Sequence, residues 1–227
     1  MTSGVISAFD AKQTGYEAKS ASYFDRARVD FVRRLPIDVT ASVLEIGCGT
    51  GATGALALAN KRAGRYVGVE LFPTAAEAAR QVLSEVHVGN VEQMEFPWHP
   101  AEFDALILSE VLEHLYDPWD VVRRLARHVR AGGVVLASSP NVSHWRVLRE
   151  LAAGRFPLAD QGVFDRTHMR WFTPSTFADM FEAAGFAVVS VRPVTPFAKR
   201  TAWLSRLSRG RLDHLFMVQI AVEAVRR

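Results

Sequence analysis

The stretch Val43–Gly54, VLEIGCGTGATG, constrains this chain more than any other. An apolar run carries one acid, Glu45, and then four glycines fall within the eight positions from Gly47 to Gly54. A short apolar run of this kind reads as a buried strand. Glycine directly behind it frees the backbone for positive φ and lets a ligand approach the main chain closely. The helix expected next offers free N–H groups and a partial positive charge to whatever lies over the turn.

The same order repeats along the chain. Strands are expected at 42–47, 66–71, 86–90, 103–110 and 132–140, with helices at 53–62, 74–84 and about 117–129 between them. Strand–helix alternation implies a parallel sheet covered on both faces. An amphipathic helix is expected over Tyr23–Leu35, stopping before Pro36. After Pro140 the rhythm breaks. Val142–Ala153 reads as a helix, and residues 155–172 as an irregular segment rich in charge and aromatic rings. A further helix has Thr173 as N-cap, Pro174 in its first turn and Gly185 as its stop. Two more strands, AVVSVRPV and FMVQIAVEAV, flank the basic stretch 197–211, which has the length for a crossover or an edge hairpin.

At 227 residues, with 49% hydrophobic and 22% charged side chains, the chain has the size and composition of one soluble globular domain. Within residues 1–227 we distinguish an N-terminal segment and helix, 1–35, and a cap, 141–173. The net charge of +3 is too small to argue for nucleic acid. No apolar run spans a bilayer, no secretory signal is visible at the N-terminus, and Cys48 stands alone, so a reducing, cytoplasmic setting is expected.

The string GTGATG, residues 49–54, fits the dinucleotide pattern G-x-G-x-x-G, a weak signal by itself. Two acids refine it. Glu45, two residues before Gly47, attracts a cation and repels a pyrophosphate. Glu70 ends the next strand, where an acid accepts hydrogen bonds from ribose hydroxyls. NAD and S-adenosylmethionine share that ribose, and only the second adds a positive amino group and sulfonium. An NAD(P)-dependent oxidoreductase with a Tyr-x-x-x-Lys pair has no support, because no tyrosine here has a lysine four positions on.

Taken in order, VLEIGCGTG, VGVE, VGNVEQM, FDALILSEVLEHLYDP and RAGGVVLASSPN resemble the successive motifs of class I S-adenosylmethionine-dependent methyltransferases. The resemblance runs from about residue 40 to 190. It implies a Rossmann-like three-layer α/β sandwich whose seven-stranded, mostly parallel sheet has an antiparallel last strand. It also implies a donor site of Glu45, Gly47, Cys48, Gly49, Gly51, Glu70, Leu71, Asn90, Val91 and Glu110, with S-adenosyl-L-homocysteine as the product. The family often has Asp at the place of Asn90, whose amide oxygen can still accept an adenine N–H.

Glu110, Glu113 and His114 stand at i, i+3 and i+4, and a helical turn would put all three on one side. His168 follows in DRTHMRWF. Three roles are open for this set: local hydrogen bonds that shape the donor pocket, a site for Mg²⁺ or Mn²⁺, or a metal-free general base at His114 or His168. A similar EVxEH string with a later histidine, found in small-RNA 2′-O-methyltransferases, implies the metal.

The cap resembles one in bacterial methyltransferases of polysaccharide clusters. That resemblance implies a hydroxyl acceptor on a saccharide or other small molecule. Trp145, Phe156, Phe164, Trp171 and Phe172 could stack on it, and Arg146, Arg155, Arg166 and Arg170 could grip an anion. An N-methyltransferase and a non-catalytic S-adenosylmethionine-binding partner are the alternatives. The stretch 197–211, with five basic residues, no acid and interleaved Trp203, Leu204 and Leu207, also suits a membrane surface.

Overall fold

In the computed structural model, residues 27–227 are described; residues 1–26, where the first part of the expected N-terminal helix falls, lie outside them. Seven strands form one sheet in the order β3-β2-β1-β4-β5-β7-β6. They are β1 (Ser42–Ile46), β2 (Arg65–Glu70), β3 (Glu85–Val88), β4 (Phe103–Ser109), β5 (Val129–Pro140), β6 (Phe186–Pro193) and β7 (Gln219–Arg226). The first five pair in parallel, and β7 runs antiparallel between β5 and β6.

Neighbouring residues along each strand enter opposite cores, as the pleat requires. Leu44, Leu106, Val135 and Val222 pack with Phe172, Phe177 and Phe181 on one face. Val43, Ala105, Leu136 and Ala221 pack with Phe31, Leu35 and Tyr66 on the other. Both faces are buried, which is why these strands read as continuous apolar runs.

Helices α1 (Val29–Val32), α2 (Ala52–Ala59), α3 (Pro73–Ala79), α4 (Pro118–Ala126), α5 (Trp145–Ala152), α6 (Pro174–Ala183) and α7 (Lys199–Leu207) complete the layers and the cap. Their ends follow local chemistry. Asp117 accepts the Asp120 N–H at 3.0 Å to cap α4, and Thr173 and Thr176 form a reciprocal capping box on α6. Gly51 starts α2 at φ +85°.

Three expectations need correction. Among the described residues the expected N-terminal helix is the single turn α1, since Arg28 has left helical geometry (φ −82°, ψ 74°). Strand β5 starts at Val129 and passes through Gly132, at φ +77°, by way of a register shift; the glycine pair imitates a turn. No helical turn covers Glu110, whose φ is +52°, and a 3-10 turn forms only over Leu112–His114. Of the two connections open for the basic stretch 197–211, a crossover or an edge hairpin, the structure has the hairpin, since β6 and β7 pair directly.

Candidate functional site

A cavity of about 630 Å³ opens at the carboxyl ends of β1, β2 and β4. Here the sheet order changes direction, the place where open α/β sheets leave a crevice for ligands. Gly47 and Cys48 both donate their N–H to the Val69 carbonyl, at 2.8 and 3.1 Å, and this folds the turn over the end of β2. Gly47 (φ +72°) and Gly49 (φ +55°) both line the cavity. Gly51 does not line it; a Cβ there would lie 2.8 Å from Val82 and 3.1 Å from Leu83, so its freedom serves packing beneath the turn.

Two buried acids stand in the wall. Glu70 accepts the Gly49 N–H at 2.8 Å through one carboxylate oxygen and the Phe72 N–H at 3.0 Å through the other. Each oxygen keeps a second lone pair for a hydroxyl. Burial raises the Glu70 carboxyl above its ordinary value, and these backbone bonds oppose the rise. Glu45 accepts the Tyr66 hydroxyl at 2.9 Å. Burial pushes it up to about 8, so the empty cradle holds much of its charge in reserve for a cation. The Cys48 thiol is raised, by burial first and then by both acids, and is no nucleophile. Leu71, Asn90 and Val91 line the far wall, and the Asn90 side-chain oxygen accepts the Glu92 N–H at 3.0 Å.

Arg28 also reaches this cavity. Its guanidinium donates to the Ser109 and Ser138 hydroxyls, at 2.5 and 2.6 Å, and pairs with Asp30 at 2.9 Å. Burial alone would lift the Asp30 carboxyl; Arg28 overcomes this and holds it below its ordinary value. Nothing local in the sequence marks Arg28, because its partners are 81 and 110 positions away.

Beyond the acids, Glu113, His114 and His168 bring ligand-capable atoms within 4.8 Å of one another. The two imidazoles lie 4.7 Å apart between ring centres. His114 Nδ1 faces the Thr167 carbonyl at 3.2 Å, and His168 Nδ1 faces the Val163 carbonyl at 3.3 Å. A carbonyl only accepts, so each of these bonds requires a proton on Nδ1. Asp165, buried, accepts the Thr167 N–H at 2.9 Å and its hydroxyl at 2.7 Å, fixing the carbonyl that orients His114. The Glu113 carbonyl accepts N–H groups of Met169 and Arg170 at 2.8 and 3.0 Å, tying the cap loop to the trio.

The Glu113 side chain is buried, and neither of its oxygens has a hydrogen-bond partner among the described residues. Burial, then the Glu110 carboxylate, hold it well above the ordinary value; the Ser139 hydroxyl, itself without a bond of ordinary geometry, offsets this only in part. Glu110 stands outside the trio. Its Oε2 accepts the Gln219 side-chain N–H at 2.8 Å, and burial raises its carboxyl as well. Asp165, Thr167 and Gln219 join Arg28 as site residues that no sequence motif announced.

The family model described as a methyltransferase domain matches residues 20–191. A trans-aconitate 2-methyltransferase of Azoarcus sp. (strain BH72) is 33% identical over 137 residues, 58% of this chain and 53% of that protein. A ubiquinone biosynthesis O-methyltransferase of Thiobacillus denitrificans is 32% identical over 161 residues, 67% of each chain. The chain thus spans about half the length of the first of these relatives and two thirds of the second. Among solved structures, an S-adenosylmethionine-dependent methyltransferase from Archaeoglobus fulgidus superposes with a TM-score of 0.64 at 15% identity, covering 97% of this chain and all of the other.

Proposed function

The chain belongs to the methyltransferase-domain family, and we propose that it transfers a methyl group from S-adenosylmethionine to a hydroxyl of a small-molecule acceptor. The observation that carries this reading is the pair of buried acids, Glu45 and Glu70, standing in one cavity around a glycine turn. S-adenosylmethionine supplies, when bound, an electrophilic methyl carbon on a positively charged sulfur. Glu70 suits the ribose hydroxyls, Glu45 suits positive charge, and the Gly47–Gly49 backbone allows close approach. A cavity of this volume is the right order for such a molecule together with part of an acceptor.

The choice of a hydroxyl acceptor is our reading of the trio. An alcohol oxygen attacks well only as its proton leaves. His114 and His168 line the same cavity as the donor site, which makes them our candidates to take that proton. The named O-methyltransferase relative agrees with this choice.

A second reading is favoured by the orphaned Glu113 carboxylate beside two imidazoles whose Nδ1 protons are tied back. Metal-binding histidines show this backbone anchoring, and Glu113, His114 and His168 fit Mg²⁺ or Mn²⁺. The ion would supply a Lewis acid that makes the acceptor hydroxyl more acidic.

Calorimetric titration tests the donor: S-adenosylmethionine is expected to bind and NAD is not, and Glu70→Ala is expected to weaken binding by more than about tenfold, since bonds to a charged group contribute about 1.5–3 kcal/mol each. Methyl transfer from labelled donor to hydroxyl compounds, with none to amines, completes the test. For the ion, Mn²⁺ binding followed by electron paramagnetic resonance should be saturable and abolished by His168→Ala. No binding, together with activity indifferent to chelator, leaves the imidazoles as bases alone.

A further inference from the structure

Helix α5 turns an apolar stripe toward water. Its apolar side chains Trp145, Leu148 and Leu151 are the exposed ones, at 42–43%, while only Val147 is buried. Helix α7 repeats the pattern one connection later. Trp203 and Leu207, one turn apart, are 62% and 68% exposed, and Leu212 follows at 42%. An apolar stripe turned outward on two helices of one domain marks a surface that something covers.

Both helices sit at the end of the sheet where the cavity opens. α5 follows the carboxyl end of β5, and α7 joins the end of β6 to the start of β7, beside Pro140. Gln219 and Val194, at either end of that connection, line the cavity themselves. The Asn141 side chain ties the two connections together by donating to the His214 and Met217 carbonyls at 2.7 and 2.8 Å.

The charges beside these stripes choose the partner. No acid occurs between Lys199 and Leu212, and exposed Arg206, Arg209 and Arg211 flank Trp203 and Leu207. On α5, the Arg146 and Arg149 guanidiniums lie 5.4 and 5.5 Å over the Trp145 ring, and the one acid, Glu150, is already paired with Arg149 and Arg155. Tryptophan and leucine edged by arginine is the composition of a surface that enters the headgroup layer of an anionic bilayer. No helix of the described residues is long and apolar enough to cross a membrane, so any such contact is peripheral.

We propose that α5 and α7 dock this protein onto anionic bilayers and turn the cavity mouth toward the lipid surface. The acceptor then arrives on an amphiphile whose polar head enters past His168 while its apolar part stays in the bilayer. This use of the docked state rests on the methyl-transfer reading; the docking itself does not.

The test is co-sedimentation of the full chain with vesicles of phosphatidylcholine and phosphatidylglycerol, against vesicles of phosphatidylcholine alone. Binding is expected to the anionic vesicles only, to weaken with salt, and to fall about tenfold or more in Trp203→Glu/Leu207→Glu and in Trp145→Glu/Leu148→Glu. Circular dichroism and S-adenosylmethionine affinity should be unchanged in both variants, which separates lost docking from lost folding. Should one variant fail to fold, the tryptophan emission of the other, shifting to the blue with wild-type vesicle binding and not without it, carries the comparison. Absent binding to anionic vesicles, binding undiminished by both variants, or a dimer in sedimentation velocity that the variants dissociate would each overturn the proposal. A chain that binds vesicles but moves no methyl group would leave docking standing and remove the methyl-transfer reading instead.

Discussion

Glu45 shows how one residue is given its properties by position. In an unfolded chain its carboxyl titrates near the ordinary 4.5, and in the fold burial lifts it to about 8. Its contribution to stability is therefore fully present below about 4.5 and is lost as pH rises through about 8. Glu45→Gln keeps an acceptor for the Tyr66 hydroxyl and removes the titration. We expect it to match the wild type in urea unfolding near pH 5 and to be more stable by roughly 1–3 kcal/mol at pH 9; an equal offset at both values would contradict the account. The same change should weaken S-adenosylmethionine binding, since a positive ligand draws Glu45 into its ionised form. Glu45 and Glu70 were legible in the sequence because a strand end has fixed direction and the glycines mark where it stops. Arg28 and Asp165 were not, because their meaning depends on serines and a threonine carbonyl that only the folded chain brings to them.

At the scale of elements, Gly54 is instructive. Glycine inside a helix normally gains about 1 kcal/mol on change to alanine. In α2 a Cβ at Gly54 would lie 2.3 Å from Leu83 and 2.5 Å from the Tyr66 ring. Overpacking there outweighs the gain in helix propensity, and Gly54→Ala is expected to cost roughly 1–3 kcal/mol in thermal or denaturant unfolding. It should also weaken donor binding, because Tyr66 is the ring that anchors Glu45. A stabilised Gly54→Ala would show that the helix can shift off the sheet. The strands and the cap at Thr173 were readable from periodicity and side-chain chemistry. The turn after β4 was not: regular spacing of Glu110, Glu113 and His114 suggests one helical face, yet Glu110 takes positive φ, pairs with Gln219 and leaves Glu113 and His114 to face His168.

For the whole molecule, a ligand seated between β1, β2 and β4 should stabilise everything that packs on them. At a concentration 100 times its dissociation constant, S-adenosylmethionine is expected to add about 2.7 kcal/mol, which raises the melting temperature of a domain this size by roughly 5–10 °C. NAD should give no shift in the same scan, and a shift with NAD alone would turn the assignment toward a dinucleotide. The parallel pairing of the first five strands was legible from their alternation with helices, whereas their order, and the choice of an edge hairpin over a crossover for 197–211, depended on pairing that no local pattern encodes. Strand β6 touches the sheet only through β7, and β7 joins β5 along Val134–Pro140. Strand β6 can therefore join the sheet only with β7 or after it. Gln219, which steadies Glu110, is the first residue of β7. Fraying of that edge would thus take Gln219 from Glu110 while the parallel pairings of β1, β2 and β4, which carry Glu45 and Glu70, keep their own hydrogen bonds.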